Sequence, residues 1–306
     1  MKTRWLIFVL LLTAVAAMAA EEDAGTACFP FLRLGVGARS LALGEAFVAD
    51  ARDAEAAVLN PALLSKNRRH AVTFTHDEYL ADLTFEFGAY AFPLAGGAAG
   101  SVAVAARYIS YGTLQGYDEF GVPTGEFPAA DLAAGVSYGV ELFQGFGAGA
   151  TVNYVYSRID DVNTSTVAFD LGLSYQPLNA LRLGFTATNL GPDVKYVSLE
   201  SPLPLTLRLG AAGDVLDLPR HKVTLFADGV YPYYDEPYGA FGLEYTMFDL
   251  VSFRGGYRLG HDTATFSFGV GFRFGLWDTV LLNLDYAYAD YGDLDATHLF
   301  TLGLLI

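Results

Sequence analysis

Cysteine is almost absent from this sequence. The 306 residues include one, Cys28, so no disulfide can form within the chain. The acidic residues Glu21, Glu22 and Asp23 and the glycine Gly25 precede it, a context that argues against lipid attachment to the thiol. We therefore expect a free thiol, either buried or exposed.

Motifs of catalytic and metal sites are also missing. The five histidines are scattered, no H-x-x-x-H pair occurs, and no G-x-S-x-G nucleophile motif is present. The stretch Gly35-Val36-Gly37 lacks the third glycine and the strand–helix context of a phosphate-binding loop. We expect no enzymatic activity, no metal site and no cofactor.

Basic residues are scarce. Lysine and arginine together number 18, against 34 aspartates and glutamates, and the formal net charge is −16. A protein that recognises nucleic acid needs a basic surface for the phosphates. The composition therefore excludes nucleic acid as an expected partner.

Long apolar runs are confined to the N-terminus. Lys2 and Arg4 precede an apolar run over residues 6–15, and Ala17 and Ala19 fit a cleavage site. We predict a cleaved signal peptide over residues 1–19. No other run approaches the roughly 18 apolar residues that a spanning helix requires. Because hydrophobic residues make up 53% of the chain, an exported protein that crosses a membrane with strands is favoured.

Alternation of apolar with small or polar residues is what the sequence has in abundance. Between residues 131 and 176, successive segments follow this period of two, which is typical of strands. Their apolar rows end near the connections in Tyr138, Tyr156 and Tyr175. Long strands with an apolar band and aromatic girdles are typical of a transmembrane β-barrel, and a secreted β-sandwich is the alternative. The first apolar row comprises Leu132, Ala134, Val136, Tyr138, Val140 and Leu142.

The same pattern predicts fourteen strands, an even number as single-chain bacterial barrels require. With both termini in the periplasm, connections after odd-numbered strands lie outside the cell and are expected to be the longer ones. The two longest predicted connections, 110–130 and 190–203, follow strands three and seven and fit this rule. The predicted strands span residues 70–77, 82–92, 98–109, 131–142, 146–158, 164–176, 180–189, 204–213, 221–230, 236–246, 249–259, 263–274, 279–290 and 295–306.

Residues 20–69 do not alternate. A short helix is predicted over residues 51–59, and Asn60 is predicted to cap a second helix that starts at Pro61. A barrel of about 14 strands is too wide for its wall side chains to fill. The alternating strands predict an all-β fold, a transmembrane antiparallel β-barrel over residues 70–306. Because something must occupy the lumen of such a barrel, residues 20–69 are predicted to form a partly helical hatch inside it.

Glycines and small residues punctuate residues 31–65 in a distinctive order, FLRLGVGARSLALGEAFVADARDAEAAVLNPALLS. This string resembles the N-terminal signature of PorV/PorQ-type outer-membrane proteins, relatives of the FadL-like barrels. The resemblance implies a barrel of fourteen strands with the N-terminal stretch folded inside the periplasmic end. The matching positions are Phe31, Leu32, Gly35, Gly37, Ala38, Arg39, Gly44, Ala46, Phe47, Asp53, Asn60, Pro61 and Ala62. Those taken as a hatch motif are Phe31, Gly35, Gly37, Arg39, Gly44, Asn60 and Pro61.

The resemblance also implies two functions. PorV-like proteins serve type IX secretion, in which they receive the C-terminal domain of exported cargo and pass it to surface attachment. FadL-like relatives are channels that pass hydrophobic small molecules through a hatch-plugged barrel. We expect the outer membrane of a Gram-negative-type bacterium as the location. The expected partners are outer-membrane lipids and lipopolysaccharide, the barrel-insertion machinery, and either secreted cargo proteins or a hydrophobic solute.

Charged residues fall on the inward rows of the predicted strands. A charge on the lipid face costs about 2–4 kcal/mol at the midplane, so the alternation is expected to place these side chains in the lumen. One hypothesis is that they pair across the interior and hold the hatch, and the other is that they select a solute. The luminal charges are Arg107, Asp131, Glu141, Asp170, Arg182, Arg208, Asp228, Glu244, Arg254, Arg258, Arg273 and Asp285.

Overall fold

The protein is described by a computed structural model that covers residues 24–196, 199–261, 265–277 and 279–306. Within these ranges, fourteen antiparallel strands form a closed barrel. The predicted signal peptide, residues 1–19, lies outside the described residues. The barrel strands are β1 (Ala71–Glu78), β2 (Thr84–Pro93), β3 (Ser101–Tyr117), β4 (Pro123–Phe143), β5 (Phe146–Ile159), β6 (Val162–Leu178), β7 (Leu181–Leu190), β10 (Thr206–Leu218), β11 (His221–Pro232), β12 (Tyr238–Met247), β13 (Val251–Leu259), β14 (Phe266–Trp277), β15 (Val280–Asp290) and β16 (Ala296–Leu305). The short strands β8 (Val194–Lys195) and β9 (Glu200–Ser201) pair with each other in the connection between β7 and β10.

Each barrel strand pairs with its neighbour in sequence, and β1 closes the cylinder against β16. The closing register runs from Ala71 opposite Leu305 to Glu78 opposite His298. Closure matters in a bilayer because an open sheet edge would leave backbone groups without partners in hydrocarbon. The prediction of fourteen strands and an antiparallel barrel is confirmed.

The two ends of the barrel differ in their connections. The chain enters and leaves the wall at one end, where β4–β5, β6–β7 and β10–β11 are joined by turns of two residues. Short turns are typical of the periplasmic side of such barrels, so we call this the periplasmic end and the opposite one the outer end.

The connection predicted over residues 110–130 is wrong. Most of this stretch is strand, because β3 continues to Tyr117 and β4 already begins at Pro123. The ladder between them shifts register between Ser110 and Thr113, where Gly112 adopts a φ of 66°. A bulge of this kind interrupts the alternation of faces, so the strand extension carries no continuous period of two.

The two faces of the wall have opposite character. Val136 and Tyr154 on the predicted apolar rows are 55% and 51% exposed on the outside of the barrel. Val155, an apolar residue on the polar row of β5, points inward and is fully buried. The outer surface is therefore the apolar band that a membrane barrel presents to lipid.

The N-terminal segment, residues 24–69, is built from short helices. No helix in the ranges that the structure describes is long and apolar enough to cross a membrane. The helices of this segment are Pro30–Arg33, Ala38–Ala42, Asp53–Glu55, Ala56–Leu59 and Pro61–Lys66, of which the first, third and fifth are 3₁₀. Single 3₁₀ turns also occur in the barrel connections at Leu80–Asp82, Leu94–Gly97 and Gly292–Leu294.

The N-terminal segment runs through the whole lumen, further than the periplasmic end where it was predicted. At the outer end, the amide of Gly25 donates to the carbonyl of Tyr234 in the β11–β12 connection, at 3.0 Å. At the periplasmic end, His70 exchanges two backbone hydrogen bonds with Ile306 before β1 begins. Between these points the segment buries Phe29, Phe31 and other apolar side chains against the wall.

Candidate functional site

An ion network in the barrel lumen joins the N-terminal segment to the wall. Glu244 of β12 accepts from Arg39 at 2.9 Å, from Arg52 at 3.1 Å and from Arg254 at 2.8 Å. Asp50 accepts from Arg39 and Arg52 at 2.9 and 3.0 Å. Arg39, Asp50 and Arg52 belong to the segment, whereas Glu244 and Arg254 belong to the wall. We call these five residues the central ion network.

Strand register creates the wall half of this network. Glu244 lies directly opposite Arg254 in the β12–β13 ladder, so the two side chains meet without any long loop. Arg254 reaches onward to Asp285 of β15, with 2.5 Å between Nη1 and Oδ1. Gly271 of the intervening strand leaves room for this pair, since a Cβ there would lie 2.6 Å from the same Nη1.

A branch of charges extends the network toward β7 and β10. Arg182 donates to Asp214 at 2.9 Å, and its Nε lies 3.5 Å from Asp50 of the N-terminal segment. Lys222 of β11 lies 3.1 Å from the same Asp214. The carboxylate of Asp50 therefore links the segment to the wall at β7 and β10, in addition to its link at β12 and β13.

A separate outer ion cluster holds residues 45–48. Glu45 lies 3.8 Å from Arg208 and 3.3 Å from Arg258. Asp228 accepts from the amides of Phe47 and Val48, at 2.9 and 3.0 Å. The guanidinium of Arg208 also stacks 4.3 Å from the centre of the Phe47 ring. Wall charges thus satisfy backbone donors of the segment that would otherwise be buried without partners.

Two further luminal groups make mainly neutral hydrogen bonds. Asp170 accepts from Asn153 and from the amide of Asn189, both at 2.7 Å. Arg107 donates to the carbonyl of Leu32 at 3.0 Å. Asn189 stands at an irregularity in the β6–β7 ladder and has a φ of 63°, so the carboxylate replaces a missing ladder partner there.

The structure places the predicted luminal charges at different depths. Glu141 lies at the periplasmic rim, where it accepts from the amide of Gly145 at 2.9 Å and lies 3.8 Å from Arg68. Arg273 donates to Asn283 rather than to a carboxylate. Asp131 accepts from Tyr111 at 2.7 Å near the outer rim. The remaining nine are Arg107, Asp170, Arg182, Arg208, Asp228, Glu244, Arg254, Arg258 and Asp285, and they surround the N-terminal segment.

Sequence reasoning missed the partners that the segment itself supplies. Glu45 stands alone among uncharged residues, whereas Asp50 and Arg52 belong to a short charged run with Asp53 and Glu55, and these charges were the one available signal. Asp214 fell just outside a predicted strand. None of the wall charges could be matched to these groups by spacing, because Arg39 and Glu244 are separated by 205 positions.

Two glycine tracks on the inner wall seat the N-terminal segment. The first consists of Gly139, Gly149 and Gly172, which pair in register across β4, β5 and β6. The second consists of Gly242 and Gly256, which pair across β12 and β13. Adjacent glycines in neighbouring strands leave a shallow groove in which another backbone can lie.

The first glycine track carries the turn at Asn60 and Pro61. A Cβ at Gly149 would lie 2.5 Å from the amide of Ala62, which is closer than real contacts allow. Asn60 is fully buried and accepts from that amide at 3.1 Å, which gives the predicted helix cap. Its own amide group donates to Val48 at 2.7 Å and to Leu173 of β6 at 3.2 Å.

The second glycine track carries the turn at Gly44. Gly44 has a φ of 66°, and its amide donates to the hydroxyl of Ser267 at 3.0 Å. A Cβ on Gly256 would lie 2.6 Å from the Cα of Gly44. Gly35 and Gly37 serve in another way, because they leave space for the carboxylates of Glu45 and Glu55.

Cavities remain on both sides of the N-terminal segment. The outer one, about 260 Å³, is lined by Leu32, Phe47 and Val58 together with Arg107 and Arg208. Two lie toward the periplasm, with volumes of about 400 and 260 Å³. Residues of the segment line all three, so the segment divides the lumen.

The smaller periplasmic cavity is rich in charge. It is lined by Asp53, Glu55 and Asp285 and by arginines of the central ion network. Burial is the main cause that raises the pKa of Glu55 to about 8, and repulsion from Asp285 and Asp53 adds to it. Among the described residues, no group of three or more histidine, cysteine or acidic side chains is arranged to hold a metal ion.

Solved structures with the same fold include a hydrocarbon channel, a toluene transporter and a FadL homologue. The chain is similar to "CymD monoaromatic hydrocarbon channel" with a TM-score of 0.60 and 15% identity, over 89% of this chain and 96% of that one. It is similar to the Ralstonia pickettii toluene transporter TbuX with a TM-score of 0.55 and 16% identity, over 89% and 97%. A Pseudomonas aeruginosa FadL homologue gives 0.55 and 11%, over 94% and 98%.

These likenesses establish the fold alone, since the identities are low. The sequence matches no curated protein. A family model described as "Type IX secretion system protein PorV" matches residues 17–228, which is more than half of the chain. The barrel is thus an outer-membrane protein, and the chain belongs to the PorV family.

Proposed function

We propose that this protein is a binding and shuttle component of a type IX-like secretion system. In this role it receives exported proteins at the outer end of the barrel and passes them on to surface attachment. The family supports this reading, and the observation that carries it is the N-terminal segment tied to the wall through the lumen. The proposal divides the chain into a signal peptide over 1–19, a hatch over 20–69 and a barrel over 70–306.

The ion networks support a hatch that acts as a permanent stopper. Movement of the segment would separate Arg39 from Glu244, Asp50 from Arg182 and Glu45 from Arg258. Removing one partner of a buried pair costs about 3–5 kcal/mol, so breaking several together is unfavourable. We propose that the luminal charges hold the hatch in this way and do not select a solute.

Because a permanent stopper closes the lumen, we place the function of the protein at its surface on the outer end. The family and the solved neighbours are secretion and transport barrels, and the proposed role contains no catalytic step. The partners that this role requires are exported proteins and the other components of the secretion machinery.

A channel for hydrophobic molecules is the second candidate. The outer cavity of about 260 Å³ favours it, because Leu32, Phe47 and Val58 supply apolar lining. The solved neighbours include proteins described as toluene transporters. In a channel the hatch would be a gate, and small changes at its seat would alter passage.

A pair of barrel variants distinguishes a stopper from a gate. Deletion of residues 21–60 is expected to open a large conductance in planar bilayers, whereas the intact protein stays closed. Asn60→Ala, which removes the buried cap and its two donors, is expected to leave toluene uptake by cells unchanged. Uptake that depends on the protein and changes with Asn60→Ala would favour the channel. A barrel that stays closed after the deletion would contradict the hatch.

Cargo binding tests the shuttle directly. The mature protein in detergent is mixed with a secreted protein that ends in a type IX sorting domain, and with the same protein lacking that domain. Co-elution on size-exclusion chromatography is expected only for the first. Failure of both to co-elute would contradict the proposed function.

A further inference from the structure

A two-stranded ribbon extends from the barrel rim at the outer end. β2 pairs with β3 only as far as Ser110, and β5 pairs with β4 only from Ala129. Beyond these points β3 and β4 pair only with each other, up to Tyr117 opposite Pro123. Within the described part of the chain, no backbone group outside this hairpin hydrogen-bonds to residues 111–117. We call residues 111–128 the outer ribbon.

The base of the outer ribbon is anchored in a defined direction. The bulge at the rim includes Gly112, whose positive φ bends the strand there. Next to it, the hydroxyl of Tyr111 donates to Asp131 at 2.7 Å, and its ring packs against the apolar core. The ribbon is therefore presented by the barrel and is not a free loop.

The two edges of the outer ribbon differ in protection. The β4 edge carries Pro123, Glu126 and Pro128, and prolines and charges prevent the addition of another strand. The β3 edge reads Thr113-Leu114-Gln115-Gly116-Tyr117, with neither proline nor charge. Unpaired N–H and C=O groups on such an edge are a template for a strand from another chain.

The side chains of the outer ribbon indicate which residue types a strand added to the β3 edge contains. The ribbon contains Asp118, Glu119 and Glu126, and no lysine or arginine occurs anywhere between residues 108 and 157. Large apolar side chains are exposed beside these acids, with Phe120 82% and Tyr117 63% accessible. The complement of this surface is an extended segment with basic residues and interspersed apolar ones.

We propose that the β3 edge of the outer ribbon binds an extended basic segment of a secreted protein by adding it as a third strand. Main-chain hydrogen bonds supply the affinity, and the acidic and aromatic side chains select the sequence. This inference rests on the proposed function, since it names the site at which the barrel receives cargo.

Peptide binding to the full-length barrel in detergent tests the edge. The probe is a fluorescent ten-residue peptide in which lysine and threonine alternate with valine, and its control has glutamate in place of lysine. We expect the lysine peptide to bind about tenfold more tightly, with an affinity that falls as salt rises. Gln115→Pro is expected to weaken binding about tenfold, because proline removes an N–H from the β3 edge. Thr124→Pro on the β4 edge is the matched control and is expected to leave binding unchanged.

Crosslinking tests binding at the same edge without proline, which can itself disturb the fold of the ribbon. In a Cys28→Ser background, a cysteine replaces Leu114 or, as control, Thr124, and the peptide carries one cysteine. With diamide added as the oxidant, disulfide formation is expected at position 114 and not at position 124. Folding of each variant is checked by heat-modifiable migration on gels.

Each result decides one of the two proposals. Absence of peptide binding, equal binding of the glutamate peptide, or equal crosslinking at both positions would overturn the edge proposal. Should cargo with a sorting domain bind the native and Gln115→Pro proteins equally, the edge proposal fails and the shuttle function stands. Should that cargo bind neither protein, the shuttle function itself fails.

Discussion

Glu244 and Arg254 face each other across the β12–β13 ladder, with 2.8 Å between Oε2 and Nε. The same carboxylate binds Arg39 and Arg52 from the N-terminal segment, so one wall pair has become the attachment point of the hatch. We predict that Glu244→Ala destabilises the folded barrel by about 3–5 kcal/mol, because it leaves the buried guanidinium groups of Arg39 and Arg254, and the partly exposed one of Arg52, without their shared partner.

Arg254→Ala is expected to cost less, since Arg39 and Arg52 still neutralise Glu244. Both variants should insert into membranes normally. The measurement is the temperature at which the folded band disappears on gels, with Glu126→Ala on the exposed outer ribbon as control. Equal melting of the Glu244→Ala and control proteins would contradict an attachment role.

Single methyl groups on the glycine tracks should unseat the hatch. Gly256→Ala places a Cβ 2.6 Å from the Cα of Gly44, and a backbone at that distance has to move. We predict increased conductance and a lower melting temperature. Gly88→Ala is the matched control, because it adds the same methyl group to a wall strand with no atom within 4 Å. Similar behaviour of the two variants would show that the close approach has no mechanical consequence.

Cys28 is a built-in reporter of hatch seating. Its thiol is buried at the outer end and donates to the carbonyl of Pro202 at 3.2 Å, and burial raises its pKa to about 11. We predict that maleimide labels the folded protein at pH 8 at least about a hundredfold more slowly than the urea-unfolded chain, because the thiolate is both rare and shielded. A cysteine in place of Phe120 provides the exposed control. Equally fast labelling of both positions would mean that the outer part of the segment is not seated.

Seating of the hatch should weaken as pH rises. The pKa of Glu55 is raised from 4.5 to about 8, so this group favours the folded state fully below pH 4.5. That contribution is lost as pH rises through 8, because the ionised carboxylate then faces Asp53 and Asp285.

We predict that the urea midpoint of the native protein falls between pH 5 and pH 8 relative to that of Glu55→Gln, which cannot ionise. The comparison isolates Glu55 from other titrating groups because both proteins share them. Parallel pH profiles of the two proteins would contradict the expected role of burial at this site.

The strands and their faces could be predicted because lipid outside and polar groups inside force a strict period of two. The cap at Asn60 followed from local chemistry alone. Arg39 could not be matched to Glu244, since their contact depends on where a helix of the segment lies relative to a register formed 205 residues later. The glycine tracks could not be predicted, because a small residue on an inward row is uninformative until the segment that packs against it is known. At Gly112, one bulge concealed the outer ribbon by interrupting the alternation.

The path of the N-terminal segment limits the order in which this molecule can be assembled. The segment starts at the outer end beside Tyr234 and leaves at His70, so the polypeptide crosses the interior once from end to end. The cylinder closes when β1 meets β16, the last strand to be synthesised. Glycine tracks that admit only bare backbone leave no room to thread helices through a finished cylinder. The wall therefore closes around a segment that already lies inside it.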